Sequence, residues 1–175
     1  LDAIYVKDSA AKEILSNLQN KIETVMLLHL QLQLQDVDDA NSIELGSYIE
    51  LILDSFFKHN VGKGQKIHID KEIDSFKLDV EKAIPLRLII NELSANCRKH
   101  AFSEQDEGRI FISLKRFDGK LYLTFEDDGK GLPEHIRRGS LGLTLVESLA
   151  EQLKGDFSIS NNTPRGTVAS LSFQC

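Results

Sequence analysis

Apolar residues recur along this chain with two alternating periods, and the switches between them mark out its elements. Over residues 9–35 the period is helical. Ile14, Leu18, Ile22, Val25 and Met26 fall at three- and four-residue steps, with Lys12, Glu13, Asn20 and Glu23 elsewhere. Beyond Met26 the apolar surface broadens through Leu27, Leu28, Leu30, Leu32 and Leu34, as on a helix that packs against another helix or subunit. DVDDANS is a break, and Ser42 stands where it would cap a second helix over residues 43–58, with Leu45, Ile49, Ile52 and Phe56 on one stripe. HNVGKGQ reads as a loop, with a GKG too short to wrap a phosphate.

The period then drops to two. Residues 66–73 alternate as a strand, and 76–78 form a shorter one. Pro85 is placed near the start of a third helix over residues 85–101, whose apolar side is Leu86, Ile89, Ile90, Leu93, Cys97 and Ala101. Ile110, Ile112 and Leu114 alternate in the first arm of a hairpin. FDGK is its turn and Leu121 to Asp127 its second arm. A last helix over residues 141–154 turns Leu145, Val146, Leu149 and Leu153 inward and stops at Gly155. Phe157 and Ile159 mark a strand, NNTPRG a turn, and Thr167, Ala169, Leu171 and Phe173 share one face of a final strand. This pattern predicts a two-layer α/β sandwich, a mixed sheet backed by helices, behind a helical segment. The segment is residues 1–40 and the sandwich residues 41–175.

Bulk properties narrow the partners. With 175 residues and 41% hydrophobic content, the chain supports one domain plus an appendage. Its net charge of -6 argues against nucleic acid or an anionic membrane as the main partner. No apolar run approaches a membrane span, and the first residues lack a signal-peptide pattern. Cys97 and Cys175 have no metal-ligand spacing, and Cys97 reads as a reduced, structural thiol of a cytoplasmic protein.

Two places break the apolar pattern in ways that suggest chemistry. Asp127 continues the face of Leu121, Leu123 and Phe125, and a carboxylate in register with a core face needs a partner. Gly129 and Gly131 follow, where a ligand can approach the backbone. Gly139, Ser140, Leu141 and Gly142 then open a helix whose free N–H groups favour an anion. A site polar at one end and phosphate-binding at the other suits a nucleotide. On the third helix, Glu92, Asn96 and Lys99 stand at i, i+4 and i+7, an acid, an amide and an ammonium suited to hydrated Mg²⁺ and phosphates. Taken alone, such a trio is more often a solvated face.

NELSANCRKHAF (residues 91–102), DDGKG (127–131) and GSLGL (139–143) occur in the order and spacing of the N, G1 and G2 boxes, and RGTVASLSF is similar to the closing Gly-Thr strand. On these residues the chain resembles the GHKL ATP-binding superfamily, which includes histidine kinases, gyrase-type topoisomerases and a class of heat-shock chaperones. The wording NEL…N…KHAF and the short lid, Leu132 to Arg138, look like the short-lid histidine kinases related to the HWE group. The resemblance covers residues 42–175 well. It implies that Asp127 accepts the adenine amino group, with Thr167 beside it through a shared water. Gly129 and Gly131 let the base lie against the backbone. Asn96 holds Mg²⁺ through its amide oxygen, Lys99 meets the phosphates, and Glu92 positions or deprotonates an attacking imidazole. Gly139 and Gly142 admit the triphosphate of ATP to the helix N-terminus, and Lys130, Arg137 and Arg138 screen its charge. His100, Leu132, Ser140 and Leu141 lie in the same boxes or lid and complete the nucleotide-contacting set.

Residues 16–29, SNLQNKIETVMLLH, resemble the second helix of the kinases' dimerisation and phosphotransfer unit. The phosphoacceptor motif of the first helix, rich in His, Arg, Lys and Asn, is not found around His29, His59, His68, His100 or His135. The expectation is therefore a sensor histidine kinase core whose acceptor histidine lies upstream of Leu1. Such a core passes the γ-phosphoryl of MgATP to that histidine and then to a response regulator receiver domain. A homodimer through the N-terminal helices and no direct membrane contact belong to the same expectation. The rivals are a GHKL serine kinase of anti-sigma type and a non-catalytic scaffold or pseudokinase.

Overall fold

A computed structural model of the chain describes residues 42–60, 66–102, 107–132 and 141–175, with the side chains of 54–60 and 141 left out. The long helix expected over residues 9–35, the boundary placed after residue 40, the loop 61–65 and lid residues 133–138 lie outside these. The order of elements is β1 (Ser42–Glu44), α1 (Leu45–Asn60), β2 (Lys66–Ile73), β3 (Lys77–Asp79) and α2 (Val80–Asn96), which runs into a π-helical turn (Cys97–Ala101). Then come β4 (Glu107–Phe117), β5 (Lys120–Asp127), α3 (Leu141–Gln152), β6 (Asp156–Asn161) and β7 (Thr167–Gln174).

Five strands form one mixed sheet in the order β2-β4-β5-β7-β6, with β2 and β4 parallel and every other pair antiparallel. The period-2 alternation decides which face is covered. Ile110, Ile112, Leu114, Leu121, Leu123, Phe125, Ala169, Leu171 and Phe173 are all buried on one side. Register lines them up in rows, Ile112 beside Phe125 beside Ala169, and Leu114 beside Leu123 beside Leu171. Leu86, Ile89, Ile90 and Leu93 of α2 and Val146, Leu149 and Ala150 of α3 are buried as well. Each fully buried aliphatic side chain of this kind stabilises the fold by about 1.5–3 kcal/mol. On the opposite face Tyr122 and Ser170 are exposed, and Ser113, Thr124 and Ser172 are half-buried. This is the two-layer sandwich that the alternation implies. The β4–β5 hairpin closes at Asp118 and Gly119, both at positive φ (49° and 73°), the turn that matches strand twist.

Four boundaries differ from the sequence reading. Ser42 does not cap a helix; it lies in β1, which pairs antiparallel with β3 and places Ile43 opposite Leu78. That pairing also moves β3 one residue past the expected 76–78. The cap is Glu44, whose carboxylate accepts hydrogen bonds from the N–H groups of Gly46 (3.1 Å) and Ser47 (2.8 Å). The hydroxyls of Ser47 and Ser75 donate to it too. The third helix starts five residues before Pro85, because Val80 to Ile84 bury only Ala83 and so carry no apolar stripe. At the end of α3 the left-handed residue is Lys154 (φ 52°), not Gly155. Lys154 N–H donates to Glu151 O (2.9 Å) and Gly155 N–H to Ala150 O (2.9 Å), a Schellman closure. Glycine is needed at 155 for a different reason. A Cβ there would stand 2.7 Å from Ser172 O and 3.0 Å from Phe173 Cβ.

Partial desolvation pushes the Glu44 carboxyl up, but the hydrogen bonds from Ser47, Ser75 and the two amides outweigh it and bring its pKa down to about 2. A depressed carboxyl pKa stabilises the fold above the unfolded-state value, and that contribution is lost as pH falls through the folded value. Glu44→Gln is expected to cost about 1 kcal/mol at neutral pH. In thermal melts the gap from wild type closes as pH drops from 4.5 toward 2; a gap that stays constant with pH would remove the carboxylate from the explanation.

Candidate functional site

The candidate site begins where β5 ends. Asp127 is its last residue, 6% exposed, with Ile110 of β4 on one side and Thr167 of β7 on the other. A carboxylate so deeply placed needs donors, and it has one on each oxygen. Gly129 N–H donates to Oδ1 at 2.9 Å and Cys97 Sγ to Oδ2 at 3.5 Å. Burial, reinforced by the charge of Asp127 and by this hydrogen bond, pushes the Cys97 thiol well up, which keeps its proton in place to donate.

Asp128, adjacent in sequence, does different work. Its Oδ1 accepts from Arg109 N–H (2.7 Å), its own N–H donates to Arg109 O (3.1 Å), and Arg165 Nη2 lies 3.4 Å from Oδ2. Asp128 therefore ties the exit of β5 to β4 and to the turn before β7, leaving Asp127 to face inward.

The glycines after it mark close approaches. A Cβ on Gly129 would stand on Ala101, 2.7 Å from its carbonyl oxygen, and Lys130 N–H donates to that oxygen at 3.4 Å. The loop after β5 thus lies directly on the π-helical turn. Gly131 is at φ 79°, and Leu132 N–H donates to Asn161 Oδ1 at 2.7 Å. Gly166, at φ 95°, brings the start of β7 against the carbonyl of Asp127.

The second half of the site is on α2. A Cβ on Gly142, in the first turn of α3, would stand 3.2 Å from Glu92 Oε2 and 3.7 Å from Asn96 Oδ1. Two oxygen donors four residues apart thus face the N-terminal turn of α3. Lys99 does not continue their line as an α-helix would place it. After Asn96 the helix widens, and Phe102 N–H donates to Cys97 O at 3.1 Å, closing an i to i+5 turn that rotates less per residue. Lys99 is half-buried and His100 exposed on this turn.

Of the expected set, the structure brings Asp127, Thr167, Gly129, Lys130, Gly131 and Leu132 to the strand ends, and Glu92, Asn96 and Gly142 to the helix seam. The Cys97–Asp127 hydrogen bond and the Ala101–Gly129 contact join the two halves. Arg137, Arg138, Gly139 and Ser140 lie outside the described residues, and of Leu141 the backbone alone is described, opening α3. Sequence reasoning missed Cys97 as a partner of Asp127, Asn161 as the anchor of Leu132, and the bracing by Asp128 and Arg165. Each depends on contacts 29 to 37 residues apart; no local pattern carries them.

Comparisons with known proteins give the chain a family and a set of relatives. The profile of the family described as histidine kinase-, DNA gyrase B-, and HSP90-like ATPase matches residues 81–175, from α2 to the end of the chain. Blue-light-activated histidine kinase 2 of Erythrobacter litoralis is 28% identical over 161 residues, covering 89% of this chain and 46% of that protein. Sensor histidine kinase PdtaS of Mycobacterium tuberculosis is 27% identical over 200 residues, covering 94% of this chain and 39% of that protein. This chain therefore spans less than half the length of either relative. Among solved structures, the histidine kinase domain of an Erythrobacter litoralis blue-light activated kinase superposes with a TM-score of 0.78 at 25% identity, covering 90% of this chain and 74% of that one.

Proposed function

The chain belongs to the histidine kinase-, DNA gyrase B-, and HSP90-like ATPase family, and from that premise we propose that it is the ATP-binding catalytic core of a sensor histidine kinase. The observation that best supports the reading is the division of labour across one seam. A buried, doubly hydrogen-bonded carboxylate, Asp127, stands at one end, and two oxygen donors under a side-chain-free helix turn, at Gly142, stand at the other. The first suits the amino group of adenine; at the second, the free N–H groups of the helix turn suit phosphates and the oxygens suit a cation bound to them.

In this reading Asp127 accepts the adenine amino group and Thr167, its neighbour across the ladder, assists through a water. Gly129 and Gly131 let the loop after β5 lie directly on Ala101 and Asn161, and the base lies against the loop so placed. The missing side chain at Gly142 leaves phosphates room to meet the free N–H groups of α3. Glu92 and Asn96 present oxygens where that room lies, so the residues present fit a hydrated Mg²⁺ held by Asn96. When bound, the ion supplies charge neutralisation for phosphoryl transfer. Lys99 meets the phosphates, and Glu92 positions or deprotonates the attacking imidazole. The acceptor is a histidine on a helix outside residues 1–175, and the next acceptor is the aspartate of a response regulator receiver domain. Residues 1–40 belong to the dimerisation and phosphotransfer unit, and the protein acts in the cytoplasm as a homodimer. Among the described residues no helix is long and apolar enough to cross a membrane.

The test is transfer of label from γ-labelled MgATP to a histidine-bearing helix, supplied in trans or fused in cis. Acid-labile, base-stable label on that helix is the expected result. Acid-stable label on a protein partner would replace the reading by a serine kinase of anti-sigma type. Nucleotide binding without any transfer would replace it by a non-catalytic scaffold.

A further inference from the structure

We propose that Cys97 is a positioning residue for base recognition: its thiol locks the Asp127 carboxylate in the orientation that selects an amino-bearing purine. This rests on the nucleotide reading of the site and adds to it a side chain outside the set that reading uses. The argument is geometric. Terminal torsions of Asp are broad, so a carboxylate held at one oxygen alone can rotate. Gly129 N–H fixes Oδ1 at 2.9 Å from the loop side, and Cys97 Sγ reaches Oδ2 at 3.5 Å from the helix side. The two donors come from separate elements and pin the carboxylate plane between them. Cys97 is 5% exposed and Asp127 6%, which leaves little room for water to take over if the thiol is removed.

The placement of the thiol adds a second reason. Cys97 follows Asn96 directly, at the point where α2 gives way to the wider turn closed by Phe102 N–H on Cys97 O. The helix that offers Asn96 to the phosphate end therefore offers Cys97 to the base end one residue later. A carboxylate with both oxygens oriented by donors has its remaining lone pairs directed outward. They accept from a purine 6-amino group and repel a 6-oxo group. Preorganisation of this kind raises affinity by removing the ordering that binding would otherwise require.

Isothermal titration with MgADP and with the 6-oxo analogue MgIDP, on wild type, Cys97→Ala, Cys97→Val and Cys97→Ser, tests the assignment, with melting curves on each. Cys97→Val keeps most of the volume without a donor; Cys97→Ser keeps a donor. Cys97→Ala and Cys97→Val are expected to weaken MgADP binding about 3- to 10-fold while MgIDP binding stays constant, which shrinks the preference by the same factor. Cys97→Ser is expected to keep the wild-type preference. Equal losses for both nucleotides, an unchanged preference in Cys97→Val, or failure of serine to restore it would overturn the proposal. Wild type that binds MgADP with all variants unchanged overturns this proposal alone. Wild type that binds no adenine nucleotide overturns the site reading as well.

Discussion

Asp127→Asn lowers the affinity for MgADP by roughly 10- to 100-fold, the loss that follows from removing a hydrogen bond to a charged acceptor. The substitution is nearly isosteric, so the reason lies in the donor count. Gly129 N–H and Cys97 S–H each claim one carboxylate oxygen. An amide has one oxygen, so its NH₂ group must face either the backbone N–H, donor against donor, or the thiol, whose sulfur is only a weak acceptor. In either pose the amide also turns a donor or a displaced oxygen toward the adenine amino group. Folding should survive better than binding, because a neutral amide is less costly to bury than a carboxylate. Calorimetric titration with MgADP and a melting curve on the same sample separate the two effects. An affinity within twofold of wild type would exclude Asp127 as the base acceptor.

The chemistry of Asp127 was legible because it sits out of place in an otherwise apolar row. Leu121, Leu123 and Phe125 set the phase of β5, and the structure buries all three together with Asp127. The same logic located α2 through Leu86, Ile89, Ile90 and Leu93, and the turn of the hairpin through Asp118 and Gly119. Periodicity fails where an element has no buried face to report. Val80 to Ile84 are helical with one buried residue, and β1 is three residues long and visible only through its pairing with β3. It also assumes that the turn angle stays constant. Lys99 was placed in line with Glu92 and Asn96 on an α-helix, and the π-helical turn from Cys97 to Ala101 breaks that line.

Long-range partners form a separate class. Cys97 counted as a core thiol because its position on the apolar stripe is all that a local pattern conveys. Its hydrogen bond to Asp127 exists because β5 ends beside the turn after α2, a fact of topology. Asn161 looked like the first residue beyond a strand, yet it anchors Leu132. The order of the boxes carries what periodicity cannot, since the resemblance it supports implies one ligand for Asn96, Asp127 and Gly142.

Among the described residues, Gly166→Ala gives the largest loss of stability expected for a one-carbon change. Two independent penalties apply. The residue is at φ 95°, where an L side chain is strained by about 1–2 kcal/mol. The added Cβ would also overlap the carbonyl of Asp127, with the Asp128 Cα 2.9 Å away. These are backbone atoms of the central strand, which cannot swing aside as a side chain can; relief requires β5 and β7 to part where Asp127 faces Thr167. Forced displacement of this kind costs about 1–3 kcal/mol in packed interiors. Together the penalties come to about 2–5 kcal/mol, or roughly 10 °C of melting temperature. Gly119→Ala is the control that separates them. Gly119 is also at positive φ (73°), but among the described residues a Cβ there meets only Gln174 Oε1, at 3.8 Å. It should therefore show the strain without the overlap, a loss of about 1–2 kcal/mol. Because the overlap is with Asp127 itself, Gly166→Ala that remains folded at low temperature should also bind MgADP weakly, and Gly119→Ala normally. Equal melting losses for the two variants would mean that β7 can shift freely at its start, and that Gly166 does not hold Asp127 in place.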